Sequence, residues 1–404
     1  MKIAIMGVRG IPAKGGGFET CAEQTAVRFA ENHEVYVYCR KHKSNWKENT
    51  YKGVNLVKLG SLNTKHFDTL SHTLFSIVHL LFYTDIKVVH LYNSANAIFL
   101  PLLKIFGIKT AVSVDGLEWK RLKWNWMVRV YLRIAEWLCV IFADAIIADS
   151  SIVQNYYSKR YYKTPVYIPY GSQNDIMADS GLLAKFNLQP KRYFYFVGRL
   201  VPEKGVDKLI SAYKKVKTDI PLVIIGGDPD HQEYITGLKD MADERVKFLG
   251  FVYGDEYHAI NNNAYAYVTA SMLEGTSPAL VAAMGAGNCV LVNGIPENRE
   301  TIADAGFHFR ENDFDDLTNK MQILADNPEL VEEYGNRAFL RVMTTYNWDS
   351  IADQYINLFR SLLEPEAKPA QERKRIHLRR KEEELPVVSG NSNRIKQEHL
   401  EESK

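Results

Sequence analysis

The sequence has little cysteine and no excess of charge of one sign. Its four cysteines among 404 residues are Cys21, Cys39, Cys139 and Cys289, and they form no C-x-x-C pair. This spacing excludes a disulfide scaffold and a cysteine zinc cluster, and it indicates a reducing, cytoplasmic environment. Lys plus Arg number 50 and Asp plus Glu 48, which gives a formal net charge of +2. Because such a chain has no global field to attract nucleic acid, we expect no nucleic-acid partner.

Long apolar runs are also missing. A membrane-spanning helix needs at least about 18 apolar residues, but residues 72–83 contain two histidines, 97–108 contain Lys104 and 137–148 contain Asp144. The first residues, MKIAIMGVRG, lack the charged and apolar regions of a secretion signal. We therefore expect neither a membrane span nor export, while contact with a membrane surface stays open.

The last residues differ in composition from the rest. Residues 365–404 contain 10 basic and 8 acidic residues and few apolar ones. Such a segment cannot bury enough surface to offset the entropy of ordering. We therefore predict a disordered charged tail over 364–404.

The remaining residues alternate between strand-like and helix-like patterns. Short runs rich in Ile and Val, typical of buried parallel strands, predict two series of strands. The first is Lys2–Met6, 34–38, 87–90, 109–113 and Ala145–Ala148; the second is 193–197, Leu222–Ile225, 246–248, Ala266–Thr269 and 289–292. They indicate two doubly wound α/β halves, 1–170 and 171–345, with a helix over 346–363 that packs back on the first half. Ligands of such sheets bind at the carboxyl ends of the strands, so the site is expected in a cleft between the halves.

A glycine-rich loop follows the first strand. It contains Gly7, Gly10, Gly15, Gly16 and Gly17 and leads into a helix predicted near 18–31. Its amides and the helix N-terminus suit an anion or a sugar, although a flexible turn is the simpler alternative. The dinucleotide spacing G-x-G-x-x-G is absent and strand two ends in Cys-Arg rather than in an acidic residue, which disfavours a nicotinamide enzyme.

Two loops of the second half carry further signals. GRLVPEKG at 198–205 places Arg199 and Lys204 after a strand, where the two cations could hold one diphosphate. EGTSPAL at 274–280 predicts a helix capped by Ser277 with Pro278 in its first turn, whose free amides suit a phosphate. The alternatives are a solvated loop and a capped helix without a ligand.

Together with DGLEWKR at 115–121 and IPENRE at 295–300, these motifs resemble the retaining GT-B glycosyltransferases of family four. Over about residues 1–363 they look most like the bacterial polysaccharide branch that includes rhamnosyltransferases. The resemblance implies two Rossmann-like domains facing a central cleft. It implies transfer of a sugar, rhamnose or another hexose, from a nucleotide diphosphate sugar to a saccharide acceptor with retention at the anomeric carbon. It further implies a lipid-linked acceptor, surface-polysaccharide assembly at the inner face of the plasma membrane, and no cofactor.

The resemblance also implies roles for individual residues. Asp115 and Glu274 are the catalytic candidates. Many relatives carry a histidine at the position of Asp115. The alternative interpretation of Asp115 is that Asp115 and Gly116 simply form a turn. Either Asp115 or the nearby Glu118 could assist an oxocarbenium-like centre or a proton path. The donor-binding candidates are Gly15, Gly16, Gly17, Arg199, Lys204, Gly275, Thr276, Ser277, Pro278 and Glu300.

One position departs from the family pattern. Many relatives carry a second glutamate eight residues after the first, thought to bind ribose, and here that residue is Ala282. A methyl group cannot accept a hydrogen bond, so a weak or non-catalytic nucleotide-sugar binder is the alternative to an enzyme. Glu297 or Glu300 could substitute. An NAD-dependent sugar-nucleotide enzyme is the third and least favoured interpretation.

No metal site is expected. The predicted cleft loops contain no D-x-D, and the 11 histidines have no ligand spacing. Arg199 and Lys204 would neutralise the leaving diphosphate in place of a cation.

Aromatic and basic residues alternate from Trp119 to Trp137. We predict that Trp119, Lys120, Arg121, Lys123 and Trp124 face the acceptor or an anionic membrane. Met127, Val130, Ile134 and Trp137 are instead predicted to form the inner face of a core helix.

Overall fold

The computed structural model describes residues 1–13, 16–44, 46–64, 67–114, 116–120, 124–172 and 179–364. Four residues singled out above, Gly15, Asp115, Arg121 and Lys123, lie outside these ranges, as do the side chain of Lys120 and the tail from residue 365. Residues Met1–Leu363 form one compact unit.

The first half of the chain builds an eight-stranded sheet. Its strands are β1 (Lys2–Met6), β2 (Glu34–Arg40), β3 (Thr50–Tyr51), β4 (Val54–Leu59), β5 (Val88–Tyr92), β6 (Lys109–Val114), β7 (Ala145–Ala148) and β8 (Val166–Tyr167). The order is β3-β4-β2-β1-β5-β6-β7-β8, with β3 antiparallel to β4 and the other pairs parallel. The helices are α1 (Gly17–Ala30), α2 (Asp68–Tyr83), α3 (Leu100–Ile105), α4 (Trp126–Phe142) and α5 (Ser151–Tyr161).

The second half builds a six-stranded parallel sheet. Its strands are β9 (Phe194–Val197), β10 (Leu222–Ile225), β11 (Val246–Gly250), β12 (Ala266–Thr269), β13 (Cys289–Asn293) and β14 (Phe307–Phe309), in the order β11-β10-β9-β12-β13-β14. The helices are α6 (Val206–Tyr213), α7 (Gln232–Met241), α8 (Gly254–Asn262), α9 (Pro278–Gly285), α10 (Pro296–Ile302), α11 (Phe314–Asp326), α12 (Pro328–Thr345) and α13 (Trp348–Leu363). Short 3-10 helices lie at Ser94–Phe99, Glu118–Lys120, Ser180–Phe186 and Pro202–Lys204.

The predicted α/β class is confirmed, and each of the ten predicted strands is present with its ends shifted by at most two residues. The central strands are buried on both faces, as residues 222–225 illustrate, which explains why they read as continuous apolar runs. The prediction missed β3, β4, β8 and β14, which are short or lie near sheet edges.

Helices cover both faces of the first sheet. On one face, α1 and α13 pack through Phe29, Tyr355 and Phe359. On the other face, α2 to α5 contribute buried residues such as Ile77 and Cys139. Because right-handed crossovers place helices according to the direction of travel across the sheet, α1 and α2 fall on opposite faces.

The prediction for the inner face of α4 is wrong. Met127, Val130, Ile134 and Trp137 are between 49% and 58% exposed. The buried residues of this helix are Leu132, Ala135, Glu136 and Cys139. The helix is apolar on two sides, so its periodicity could not decide which side meets the sheet. The small Ala135 and Cys139 allow close approach, and the buried Glu136 carboxylate accepts hydrogen bonds from the hydroxyls of Tyr156 (2.8 Å) and Tyr161 (2.6 Å).

None of the helices formed by the described residues is both long and apolar enough to cross a membrane.

Each sheet has one point where successive connections leave in opposite directions. In the first sheet this point lies between β1 and β5, and in the second between β9 and β12. The crevice outside the carboxyl ends of such a strand pair is the usual ligand site of doubly wound sheets. The loops that begin at Gly7 and Gly198 therefore lie where a ligand is expected.

Candidate active site

The loops that follow β9 and β12 pack against each other at the carboxyl edge of the second sheet. The backbone N–H of Met272 donates to the carbonyl oxygen of Glu203 at 3.0 Å. Gly205 has φ +63°, and a Cβ atom there would lie 2.5 Å from the carbonyl oxygen of Ala270. Only glycine fits this approach. The loop with Arg199 and Lys204 is thus fixed against the segment that leads into α9.

Lys204 and Glu274 are direct partners. The Lys204 ammonium donates to Glu274 Oε1, and the two side chains are only 18% and 11% exposed. The pKa of the buried Tyr267 phenol is raised by burial and then by the charge of Glu274. A phosphate-binding candidate and a catalytic candidate, predicted from separate motifs, are therefore one ion pair.

Arg199 lies between two carboxylates. Its guanidinium is 3.5 Å from Glu203 Oε1 and 3.9 Å from Asp228 Oδ2. Asp228 accepts hydrogen bonds from His231 Nδ1 (2.9 Å) and from the Asp230 amide (3.0 Å). Although burial favours the neutral acid, these hydrogen bonds hold the pKa of Asp228 below its ordinary value. The Arg199 fork is therefore held at the carboxyl ends of β9 and β10.

Asp228 and His231 were not predicted from the sequence. A usable signal was present, because GGDPDH at 226–231 follows the predicted strand Leu222–Ile225 directly. This loop contains a D-x-D, Asp228-Pro229-Asp230, so the expectation that no cleft loop contains one is wrong. Polar residues at that place lie on the same sheet edge as the loop after β9.

The predicted start of α9 is confirmed. Ser277 is its N-cap, with the hydroxyl oxygen accepting from the Leu280 amide at 3.5 Å, and Pro278 is its first residue. The partial positive charge of this helix end is aimed at the cleft, as phosphate binding requires.

The glycine-rich loop of the first half meets the same helix end. Gly16 occupies the N-cap position of α1 with φ +106°. A Cβ atom at Gly17 would lie 3.2 Å from Pro278 Cγ and 3.7 Å from the ring of Tyr170. The N-termini of α1 and α9 therefore meet at the cleft, and both favour negative charge beside them.

Two further contacts join the halves. The Thr276 amide donates to Asp149 Oδ2 at 3.0 Å, and the Thr276 hydroxyl donates to the Asp149 carbonyl oxygen. The Ser151 amide, at the start of α5, donates to both carboxylate oxygens of Glu300, at 2.8 and 3.1 Å. Thr276 and Glu300 are thus engaged in contacts between the halves, and their donor-binding roles stay predictions.

The aromatic residues after β6 are held by neighbours. The Arg133 guanidinium lies 4.1 Å from the centre of the Trp119 ring. Trp124 donates from its indole nitrogen to Glu118 Oε1 at 3.3 Å and accepts from Arg129 at its carbonyl oxygen at 2.9 Å. Trp119 and Trp124 are half-buried. Both side chains are therefore packed within the fold, and their acceptor or membrane role stays a prediction.

An aromatic pair near the second sheet edge was also missed. Phe251 and Tyr253, just beyond β11, are exposed and stack with their rings parallel to within 6° and their centres 6.1 Å apart. The Phe251 ring lies against Gly227, where a Cβ atom would be 3.0 Å away. Exposed stacked rings at a strand end suit a flat ligand such as a nucleobase.

Ala282 lies half-buried in α9. Its carbonyl oxygen accepts from the Asn261 side-chain amide at 3.2 Å. Within the described ranges, no group of three or more His, Cys, Asp or Glu side chains is arranged to hold a metal ion.

Comparison with known proteins identifies the two halves. Residues 183–341 match the family described as Glycosyl transferases group 1, and residues 1–173 match the family described as Domain of unknown function (DUF1972). The second half is a group 1 glycosyltransferase domain. Alpha-maltose-1-phosphate synthase of Mycobacterium tuberculosis is 25% identical over 287 residues, which is 63% of this chain and 73% of that protein. O-antigen chain mannosyltransferase C of Escherichia coli is 26% identical over 238 residues, 55% of this chain and 62% of that protein.

A solved structure with the same fold supports the architecture. The complex of Anabaena Alr3699/HepE with UDP-glucose superimposes with a TM-score of 0.74 and 16% identity, covering 89% of this chain and 100% of that chain. At this identity the likeness concerns the fold alone. The chain therefore has the GT-B fold, with its two mainly parallel sheets in facing Rossmann-like domains.

Proposed function

We propose that this glycosyltransferase moves a hexose from a nucleotide diphosphate sugar to a saccharide acceptor, with retention at the anomeric carbon. The observation that carries the proposal is the meeting of the Lys204–Glu274 ion pair, Arg199 and two helix N-termini in one cleft. Cations and helix ends stabilise the negative charge that develops on a leaving diphosphate. Rhamnose, named with the family resemblance, stays one of the hexoses to be tested.

The donor has a distinct place for each of its parts. The diphosphate would lie against Arg199, Lys204 and the first turn of α9, and the base would stack on Phe251. The sugar would lie toward Glu274 and the Gly16–Gly17 turn at the N-terminus of α1. HepE, which shares the fold, binds UDP-glucose in its solved structure, and this supports a nucleotide-sugar donor for the present cleft.

The acceptor is proposed to be a lipid-linked saccharide in surface-polysaccharide assembly. The similarity to an O-antigen chain mannosyltransferase supports a growing glycan as acceptor. The protein would act in the cytoplasm at the inner face of the plasma membrane, in contact with an anionic bilayer. The four cysteines are free and buried, which agrees with the reducing environment predicted above.

A weak or non-catalytic nucleotide-sugar binder is the second candidate function. It is favoured by Ala282, a half-buried methyl group where the family resemblance implies a glutamate that binds ribose. The two candidates differ in turnover, since both would bind nucleotide.

The test is a turnover screen of UDP, dTDP and GDP sugars against lipid-linked and free saccharides, beside calorimetric binding of each nucleoside diphosphate and of NAD. We expect nucleoside diphosphate binding, transfer, and slow donor hydrolysis without acceptor. Proton NMR of the fresh product should show the anomeric configuration of the donor. Nucleotide binding without transfer or hydrolysis would favour the binder, and NAD binding alone would favour the nicotinamide enzyme.

A further inference from the structure

The amphipathicity of α2 is inverted. Its exposed residues are all large and apolar or aromatic: Leu74, Phe75, Val78, Phe82 and Tyr83. Phe82 and Tyr83 are 78% and 76% exposed. Its buried residues include the polar His72, Thr73 and Ser76. A helix on a water-facing surface normally shows the opposite arrangement, with polar side chains outward.

The outward side of α4 has the same character. Its exposed residues follow the helical repeat and are Trp126, Met127, Val130, Arg133, Ile134, Trp137 and Ile141. Between α2 and α4, the end of α3 adds the exposed Ile105, and Phe106 follows it. Isolated exposed apolar residues are common on proteins, but such a set on neighbouring helices marks an interaction surface.

These helices belong to one layer. The buried sides of α2, α3 and α4 share a core cluster on the same face of the first sheet. The 3-10 helix Ser94–Phe99 lies between α2 and α4 and contacts both. We call the outward surface of α2, α3 and α4, with Phe106, the apolar face.

The charges on the apolar face are of one sign. All residues of the three helices are described, and their exposed charged residues are Lys104 and Arg133, both cations. The acidic Glu136 is buried, and Asp68 is paired with Arg40 at 2.9 Å. An apolar surface with cations and no exposed carboxylate complements a bilayer with anionic headgroups.

The apolar face reaches the cleft. Helices that connect parallel strands run antiparallel to them, so α2 and α4 begin at the carboxyl edge of the first sheet. Trp126 and Met127, the first residues of α4, are exposed at that edge. The opposite ends carry Tyr83 and Ile141. The face thus extends from the cleft rim along the whole depth of the first half.

We infer that the apolar face docks on an anionic bilayer and brings the cleft to the membrane surface, where it takes an acceptor whose sugars are attached to a lipid. Only the lipid-linked acceptor in this inference rests on the proposed function; the docking of the apolar face does not. It moves the membrane contact from the half-buried Trp119 and Trp124 to the outward sides of three helices.

Vesicle co-sedimentation tests the docking. The triple variant Phe82→Gln, Ile134→Gln, Trp137→Gln changes exposed residues, which seldom alters stability much. We expect wild-type protein to sediment with phosphatidylglycerol-containing vesicles and the triple variant to stay in solution. The variant Lys104→Gln should bind about fivefold more weakly, the effect of one cation near anionic lipid, and high salt should weaken wild-type binding.

The matched control is Ile323→Gln, Phe339→Gln, Leu340→Gln, three exposed apolar residues on α11 and α12 of the second half. We expect it to sediment like wild type. Sedimentation of the Phe82, Ile134, Trp137 variant at the wild-type level would overturn the inference. The inference would also be overturned if deletion of 365–404 abolished binding while the Phe82, Ile134, Trp137 variant still bound, because the tail would then be the anchor.

A second copy of the chain is the rival occupant of the apolar face. Analytical ultracentrifugation without vesicles separates the two: a wild-type dimer that the triple variant abolishes, together with no vesicle binding, would overturn the membrane assignment. A wild-type monomer that binds vesicles supports it. Nucleoside diphosphate binding, measured in the same samples without lipid, reports separately on the proposed function.

Discussion

Replacing Lys204 and Glu274 one at a time should move nucleotide affinity and turnover differently. Lys204→Gln removes a cation from the diphosphate, and a hydrogen bond to a charged group contributes about 1.5–3 kcal/mol. Nucleoside diphosphate affinity should therefore fall about 10- to 150-fold. The same change leaves the Glu274 carboxylate, 11% exposed, without its cation, so the free energy of unfolding should also fall by about 1–3 kcal/mol.

Glu274→Gln should have the opposite effect on affinity. Its amide oxygen can still accept from the Lys204 ammonium, but the neutralising charge is gone. The ammonium is then free to act on the diphosphate at full charge, so affinity should stay constant or increase. Transfer should fall, because Glu274 is proposed to lie beside the donor sugar.

Calorimetric titration with the nucleoside diphosphate, paired with initial transfer rates, measures both quantities. Lys208→Gln is the matched control, since Lys208 on α6 is an exposed lysine paired with Asp207 at 3.2 Å. Arg199→Ala should weaken binding about 10- to 150-fold on the same argument. Unchanged binding in both the Lys204 and the Arg199 variant would refute the assignment of these cations to the leaving group.

Four other outcomes follow from the same structure. Ala282→Glu should give no gain in nucleotide affinity, because a carboxylate half-buried without a partner is costly; a clear gain in titration would favour the weak binder. Glu300→Gln should lower the midpoint of thermal unfolding by weakening its contact with the first turn of α5, worth about 0.3–1 kcal/mol, and weaker nucleotide binding in this variant would instead support the predicted donor contact. Transfer should survive EDTA, and loss restored by Mg²⁺ or Mn²⁺ would contradict the metal-free scheme. Burial lowers the pKa of His90 to about 3, whereas the ordinary pKa of a histidine in the unfolded chain is about 6.5. The unfolded chain therefore takes up a proton at His90 as the pH falls below about 6.5 while the folded chain does not, so the fold should lose about 2 kcal/mol of stability from pH 7 to pH 5. Denaturant unfolding of wild type should show this loss, and His90→Gln should lack it.

The strands were predictable because burial leaves a local mark. β1, β7, β10 and β12 have the predicted bounds, since residues covered on both faces must nearly all be apolar. β3 and β8 have two residues each and are half-exposed or exposed, so no run marks them. β4 alternates between buried and half-exposed residues near the sheet edge, a weaker signal than a continuous run.

The candidate site was predictable as loops but not as contacts. Each loop follows a predicted strand, and topology brings those strand ends together. The partners are far apart in sequence: their residue numbers differ by 70 for Lys204 and Glu274, by 127 for Asp149 and Thr276 and by 149 for Ser151 and Glu300. Such pairings depend on the strand order and on how the two halves face, which no local pattern encodes.

The same strand order explains why one layer of the first half exposes apolar residues. Travel from β4 to β8 across the sheet places α2, α3, α4 and α5 on a single face, whereas the reverse step from β1 to β2 places only α1 on the other. One helix cannot cover that second face, and α13 returns from the end of the second half to pack on β5 and β6. His90 is buried there against Tyr355 (5.0 Å) and Phe359 (5.6 Å). The α13 face is therefore completed by the chain itself, while the described residues place no helix over α2 and α4, whose outward apolar side chains are left for a partner outside the chain.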